Sequence, residues 1–95
     1  MEPQQTSATE TDIEAWRRKL VFRSWHRGTR EMDLLLGRFA EAEVKDFSTD
    51  ELTLYEALLS ENDPDLYGWI SGAAPAPFTN AVVEKLLRFH AKARA

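Results

Sequence analysis

The sequence predicts an all-α protein, a small bundle of five helices in one domain. Three observations predict it. Apolar residues recur at spacings of three and four along most of the chain, capping side chains precede the apolar runs, and no stretch alternates apolar with polar residues in the period of a strand. A chain of 95 residues holds one compact core and has no room for a second domain.

Residues 1–11, rich in Gln, Thr and Ser, have little apolar surface to bury and are expected to form a disordered tail, leaving 12–93 as the folded domain. Thr11 with Glu14 reads as a reciprocal capping box, and Ile13, Trp16, Leu20 and Val21 place a first helix over residues 12–25. Gly28 is suited to a left-handed helix end, and Thr29 to capping a second helix whose first turn carries Glu31 and Asp33. Met32, Leu35, Leu36, Phe39 and Ala40 carry that helix to about residue 44, antiparallel to the first.

Ser48 and Glu51 form another capping box, with Phe47 placed to staple onto Leu52, so a third helix begins there. Leu52, Tyr55, Leu58 and Leu59 are its buried stripe. Asp63 is expected to cap a fourth helix with Pro64 at its first position, Leu66, Trp69 and Ile70 on its inner side and Gly72 at its end. Residues 73–77 contain two prolines and form a stiff connector. Thr79 is expected to cap the fifth helix, with Phe78 stapled onto Val83, and Val82, Val83, Leu86, Leu87 and Phe89 make that helix amphipathic.

Composition narrows the function. Apolar residues make up 43% and charged residues 29%, as in an ordinary globular domain, and the absence of cysteine removes thiolate chemistry, cysteine zinc sites and disulfides. No apolar run approaches the roughly 20 residues that span a bilayer. The start is polar and acidic, with neither a signal peptide nor an Arg-rich transit peptide, so the expected location is the bacterial cytoplasm rather than the mitochondrial matrix.

His26 and His90 are the only histidines, and neither HExxH, GxSxG, GxGxxG nor a phosphate loop occurs, so metal binding, serine nucleophilic catalysis and nucleotide binding have no motif behind them. The net charge of −4 is unevenly laid out: residues 17–30 carry six cations and no acid, whereas residues 31–65 carry eleven acids and two cations. Two helices around a glycine turn allow a DNA-binding helix-turn-helix, but Glu31 and Asp33 at the opening of the second would face phosphates unfavourably. A helical adaptor or regulator of other proteins is the broader alternative.

The candidate working surface is the turn Arg27-Gly28-Thr29-Arg30-Glu31-Met32-Asp33, with Trp25 and His26 beside it. Arg27 and Arg30 are either forks for carboxylates and carbonyls of a partner or solvated charge. Glu31 is a partner contact, a brace for Arg27, or simply an acid well placed at a helix N-terminus. Asp33 is open between such roles. Gly28 either admits close backbone approach or only ends a helix. Asp63 and Asp65 read first as cap and first-turn acid, and Trp69 as core.

This turn reads RGxxExD ahead of an apolar helix and after Phe22-Arg23-Ser24-Trp25, and it resembles the signature of the flavinylation assembly factors of succinate dehydrogenase. Asn62-Asp63-Pro64-Asp65-Leu66-Tyr67-Gly68-Trp69 is similar to that family's acidic segment, and the Pro-rich connector before Leu86, Leu87 and Phe89 is a weaker match. The likeness spans about residues 12–93. It implies a chaperone, not an enzyme, that binds the flavoprotein subunit of succinate dehydrogenase, with fumarate reductase as a further possible client, and promotes covalent attachment of FAD to it. It also implies that FAD resides on that partner, that this chain holds no cofactor stably and supplies no catalytic group, and that Arg27, Gly28, Arg30, Glu31 and Asp33, with Trp25 and His26, meet the partner.

Overall fold

A computed structural model describes the backbone of residues 4–94 and the side chains of residues 12–92. Five α-helices follow one another among the described residues: α1 (Gln4–Ser24), α2 (Arg30–Glu43), α3 (Thr49–Leu58), α4 (Asp63–Ser71) and α5 (Ala81–Arg94), with one 3₁₀ turn at Val44–Asp46 after α2. The all-α bundle expected from periodicity is therefore the observed architecture. Among the described residues no helix is long and apolar enough to cross a membrane.

Several local expectations are corrected. α1 begins at Gln4 rather than at residue 12, so Thr11 lies inside the helix and not at its N-cap position. Residues 1–3 lie outside the described residues. α4 is capped by Asn62, whose side chain accepts from the Asp65 N–H at 2.9 Å, and Asp63 is its first helical residue. Asn and Asp compete as caps on nearly equal terms, and capping by Asn62 leaves the Asp63 carboxylate available elsewhere. At α5 the cap is Asn80, whose Oδ1 accepts from both Val82 and Val83 N–H at 2.9 Å, not Thr79. Phe78 then falls one position too early for the staple, and its ring packs edge-on against Trp69 instead, 5.8 Å between centroids.

Gly28 does not end α1 but stands four residues beyond its last residue, Ser24, while the caps at Thr29, Ser48 and Gly72 are as expected. Thr29 accepts from the Met32 N–H, Ser48 and Glu51 exchange both bonds of the capping box, and Gly72 ends α4 at φ 85°. Backbone and side-chain bonding to Ser48 and the ammonium of Lys85, 2.9 Å away, hold the Glu51 carboxyl below its ordinary range.

The core gathers Leu20 from α1, Leu36 and Phe39 from α2, Leu52 and Tyr55 from α3, Leu66 from α4 and Leu86 from α5, all fully buried. Phe39 is its hub, with the rings of Phe47, Tyr55 and Phe89 5.6–6.2 Å from it in tilted or edge-on contacts. α1 and α2 pack along each other, and the Trp25 indole lies on buried Gly37, where any side chain would overlap the ring. That close approach sets where the α1–α2 turn projects.

One polar pair is sealed into this core. Ser24 Oγ donates to the Leu20 carbonyl at 2.7 Å and lies 2.6 Å from the Tyr55 hydroxyl. Serine has a single hydroxyl proton, so Tyr55 donates to Ser24 and ties α3 to α1. Burial pushes the Tyr55 phenol up to about 12, with the Ser24 bond and the charges of Arg27 and Arg23 acting in the opposite direction.

Candidate functional site

The residues singled out from the sequence come together at one end of the bundle, but in two distinct roles. Gly28, Thr29, Arg30 and Glu31 are exposed, as is His26, whereas Trp25, Arg27 and Asp33 are half-buried. The first set forms the outside of the α1–α2 turn. The second set builds it.

The construction begins at Gly28, which sits at φ 122°, a conformation that side-chain-bearing residues rarely adopt. On one side of it, the Arg27 N–H is received by the carboxylate of Asp33, six residues on, in the first turns of α2. On the other, Thr29 caps α2 through its bond from Met32 at 3.2 Å. The turn is thus stitched across its mouth by side chains drawn from its own helix.

Arg27 extends the stitching to another part of the chain. Its side chain is 11% exposed and each of its three nitrogens donates: Nε to Asp63 Oδ1 at 2.9 Å, Nη1 to the Leu59 carbonyl, and Nη2 to the Glu61 carbonyl at 2.7 Å. Those carbonyls follow the C-terminal end of α3, where a cation also meets the negative end of the helix dipole. Arg27 therefore points inward, and the brace to Glu31 considered from the sequence is not formed: the acids that engage Arg27 are Asp33 and Asp63.

Trp25 spans the two helices by donating its indole N–H to Glu41 at 3.1 Å. His26 stacks on Phe22, 4.0 Å between centroids, and its Nδ1 is 2.7 Å from the Phe22 carbonyl, so Nδ1 carries a proton. Phe22 is 61% exposed and belongs to a groove of about 560 Å³ between α1 and α2, lined also by Val21, Trp25, Ala40 and Val44. A second groove, about 420 Å³, lies on the other side of α2 between Glu31, Leu34, Arg38, exposed Tyr67 and Phe89.

Phe22, Tyr55, Ser24 and the Arg27–Asp63 pair were not read as functional from the sequence, though a signal existed for Ser24. It stands four residues after Leu20, on the inward stripe of α1, while Phe22 stands off that stripe and Arg27 lies beyond the helix end. Among the described residues no group of three or more His, Asp or Glu side chains is arranged to hold a metal ion. What the arrangement offers is recognition: a rigid polar turn carrying one cation and one anion, Arg30 and Glu31, with an apolar groove on each side.

As a class, then, this is a small helical protein that presents a braced polar turn. Its sequence matches, over residues 18–90, the family described as flavinator of succinate dehydrogenase, and the chain belongs to that family. It is 42% identical over 72 residues to the FAD assembly factor SdhE of Acetobacter pasteurianus, covering 76% of this chain and 66% of that protein. It is 39% identical over 84 residues to the mitochondrial succinate dehydrogenase assembly factor 2 of Dictyostelium discoideum, covering 86% and 59% respectively. The mitochondrial succinate dehydrogenase assembly factor 2-A of Drosophila persimilis is 37% identical over 83 residues, covering 84% and 52%. The chain therefore spans between about half and two thirds of the length of these relatives.

Proposed function

We propose that this protein is an assembly factor that binds the flavoprotein subunit of succinate dehydrogenase and promotes covalent attachment of FAD to it. The observation that carries the reading is the exposed, braced turn at Gly28–Glu31, standing where the family resemblance puts the partner contact. Arg30 and Glu31 have no side-chain hydrogen bond or ion pair among the described residues and present opposite charges from the opening of α2.

The chemistry is assigned to the partner. Flavin attachment needs a nucleophile and the cofactor aligned within one protein, and a second protein accelerates it by holding that alignment, since orientation alone removes much of a barrier. On this reading FAD stays with the flavoprotein, this chain contributes contacts rather than a reacting group, and it is not an enzyme. The relatives include mitochondrial proteins beside the Acetobacter one.

The test is a strain lacking this gene, complemented with wild-type or variant chain and read by in-gel fluorescence of covalent flavin, together with a pulldown of the flavoprotein subunit. Glu31→Ala, at an exposed position without internal partners, is expected to keep the helical circular dichroism and to lose covalent flavin. Normal covalent flavin in the Glu31→Ala strain would show that the turn is not the working surface, and failure of the wild-type chain to retrieve the flavoprotein would remove the partner assignment.

A further inference from the structure

We infer that Arg27 is a positioning residue, which sets the geometry of the partner-facing turn from inside the protein, and that Asp63, on α4, is the other half of the same device. The inference rests on the reading that Gly28–Glu31 faces the flavoprotein. It departs from the expectation that Arg27 itself meets the partner.

The geometry leaves Arg27 little to offer outside. Its guanidinium is engaged at all three nitrogens, by one carboxylate oxygen and two main-chain carbonyls that lie in the α3–α4 connection, 32 to 36 residues away in sequence. A planar fork can meet three acceptors so disposed, whereas the single ammonium of lysine cannot. The main chain of the same residue is held by Asp33. Arg27 is therefore fixed at both its backbone and its tip, and the next residue, Gly28, starts the exposed turn at an unusual φ.

Two helix ends converge on this guanidinium. It neutralises carbonyls beyond the C-terminus of α3 and accepts the negative charge of Asp63 at the first position of α4, a carboxylate that Asn62 leaves free by taking over the cap. The turn between α1 and α2 is consequently registered against the turn between α3 and α4. A partner that grips Gly28–Glu31 grips a surface whose shape depends on Asp63.

The two roles of Arg27 are separated by Asp63→Asn, which keeps the side-chain size and removes the charge. If Arg27 positions the turn, Asp63→Asn and Arg27→Gln each weaken binding of the full chain to purified flavoprotein lacking covalent flavin, on the order of tenfold in Kd, and the double variant is no weaker than the worse single. If Arg27 instead contacts the partner, freeing it by Asp63→Asn leaves binding unchanged or tightens it while Arg27→Gln weakens it, and the inference is wrong.

Amide hydrogen exchange on the free variants supplies a readout independent of the partner. Faster exchange confined to residues 27–33 and 59–63, with the amides of α2 beyond residue 33 and those of α5 still protected, is the expected result. Uniform acceleration would mark a merely stabilising pair, and no acceleration would mark a dispensable one; either overturns the proposal. If the wild-type chain does not bind the flavoprotein at all, the proposed function fails, and exchange alone decides the role of Arg27. Should Arg27→Gln not fold, Asp63→Asn carries both measurements.

Discussion

Replacing Gly37 with alanine sets two physical effects against each other. In the interior of a helix such as α2, alanine is favoured over glycine by about 1 kcal/mol through backbone entropy. At Gly37, however, the new methyl group overlaps Cδ2, Cε2 and Cε3 of Trp25, atoms of a rigid fused ring rather than the tip of a flexible chain. Relief requires that α1 and α2 separate or that the indole swing away. Separation loosens contacts around Leu20 and Leu36, and such overpacking costs about 1–3 kcal/mol. Swinging breaks the bond to Glu41 and uncovers indole surface: a modest hydrogen bond plus on the order of 60 Å² at 25 cal/mol/Å² comes to about 2 kcal/mol. Separation nets about 0–2 kcal/mol against the protein and the indole swing about 1 kcal/mol, leaving a destabilisation of about 1 kcal/mol and a Tm lower by roughly 4–8 °C. Thermal melts followed by far-UV circular dichroism measure it. A control isolates the cause: in a Trp25→Ala background the same Gly37→Ala change should raise the Tm. An increase in the wild-type background would refute the seating of Trp25 on Gly37.

The alkaline stability of the fold is expected to depend on Tyr55. The unfolded phenol ionises near 10.0 and the folded one near 12, so between these values the unfolded state has lost a proton that the folded state keeps, and stability falls as pH rises. The full effect approaches about 3 kcal/mol above the upper value, and Tyr55→Phe, at a cost near neutrality of about 1 kcal/mol for the lost bond to Ser24, should remove this part of the alkaline transition. An unchanged alkaline slope in that variant would mean that other groups control it. Gly28→Ala and Gly72→Ala both place a side chain at positive φ with no neighbour within 4 Å, so each should lower stability by about 1–2 kcal/mol for conformational reasons alone. Only Gly28→Ala should also weaken flavoprotein binding, and equal binding by the two variants would count against the turn.

Periodicity and capping chemistry made the helices legible because both are local. Met32, Leu36, Phe39 and Ala40 are buried on α2, and the Ser48–Glu51 capping box forms in full. The misplacements are local contests between near-equal candidates: Asn62 against Asp63, Asn80 against Thr79. Neighbouring Asn, Asp and Thr differ by tenths of a kcal/mol as caps, and the contacts of the rest of the chain decide. The start of α1 is a different failure, since polar residues without an apolar stripe give periodicity nothing to detect.

The turn was legible in the sequence as a charged helix junction, but the way it is built was not. Charge identifies Arg27 as a candidate contact, and arginines are mostly exposed, so the residue type points outward. Arg27 nonetheless turns inward, because Asp63 and two carbonyls are there to compensate the burial. No local pattern announces those partners, since they come from a connection more than 30 residues away.

The bracing of this turn bears on how tightly a partner is held. A flexible loop of the same composition would lose backbone and side-chain freedom on binding, and that loss subtracts directly from affinity. Here Gly28, Thr29, Asp33 and Arg27 have already confined the backbone, so on the proposed function contacts made by Arg30 and Glu31 would carry little ordering cost. The same construction would make affinity vulnerable at positions away from those contacts. Asp33 and Asp63 bind two ends of one residue, its N–H and its guanidinium, so loss of either should be felt at Gly28 before it is felt in the core.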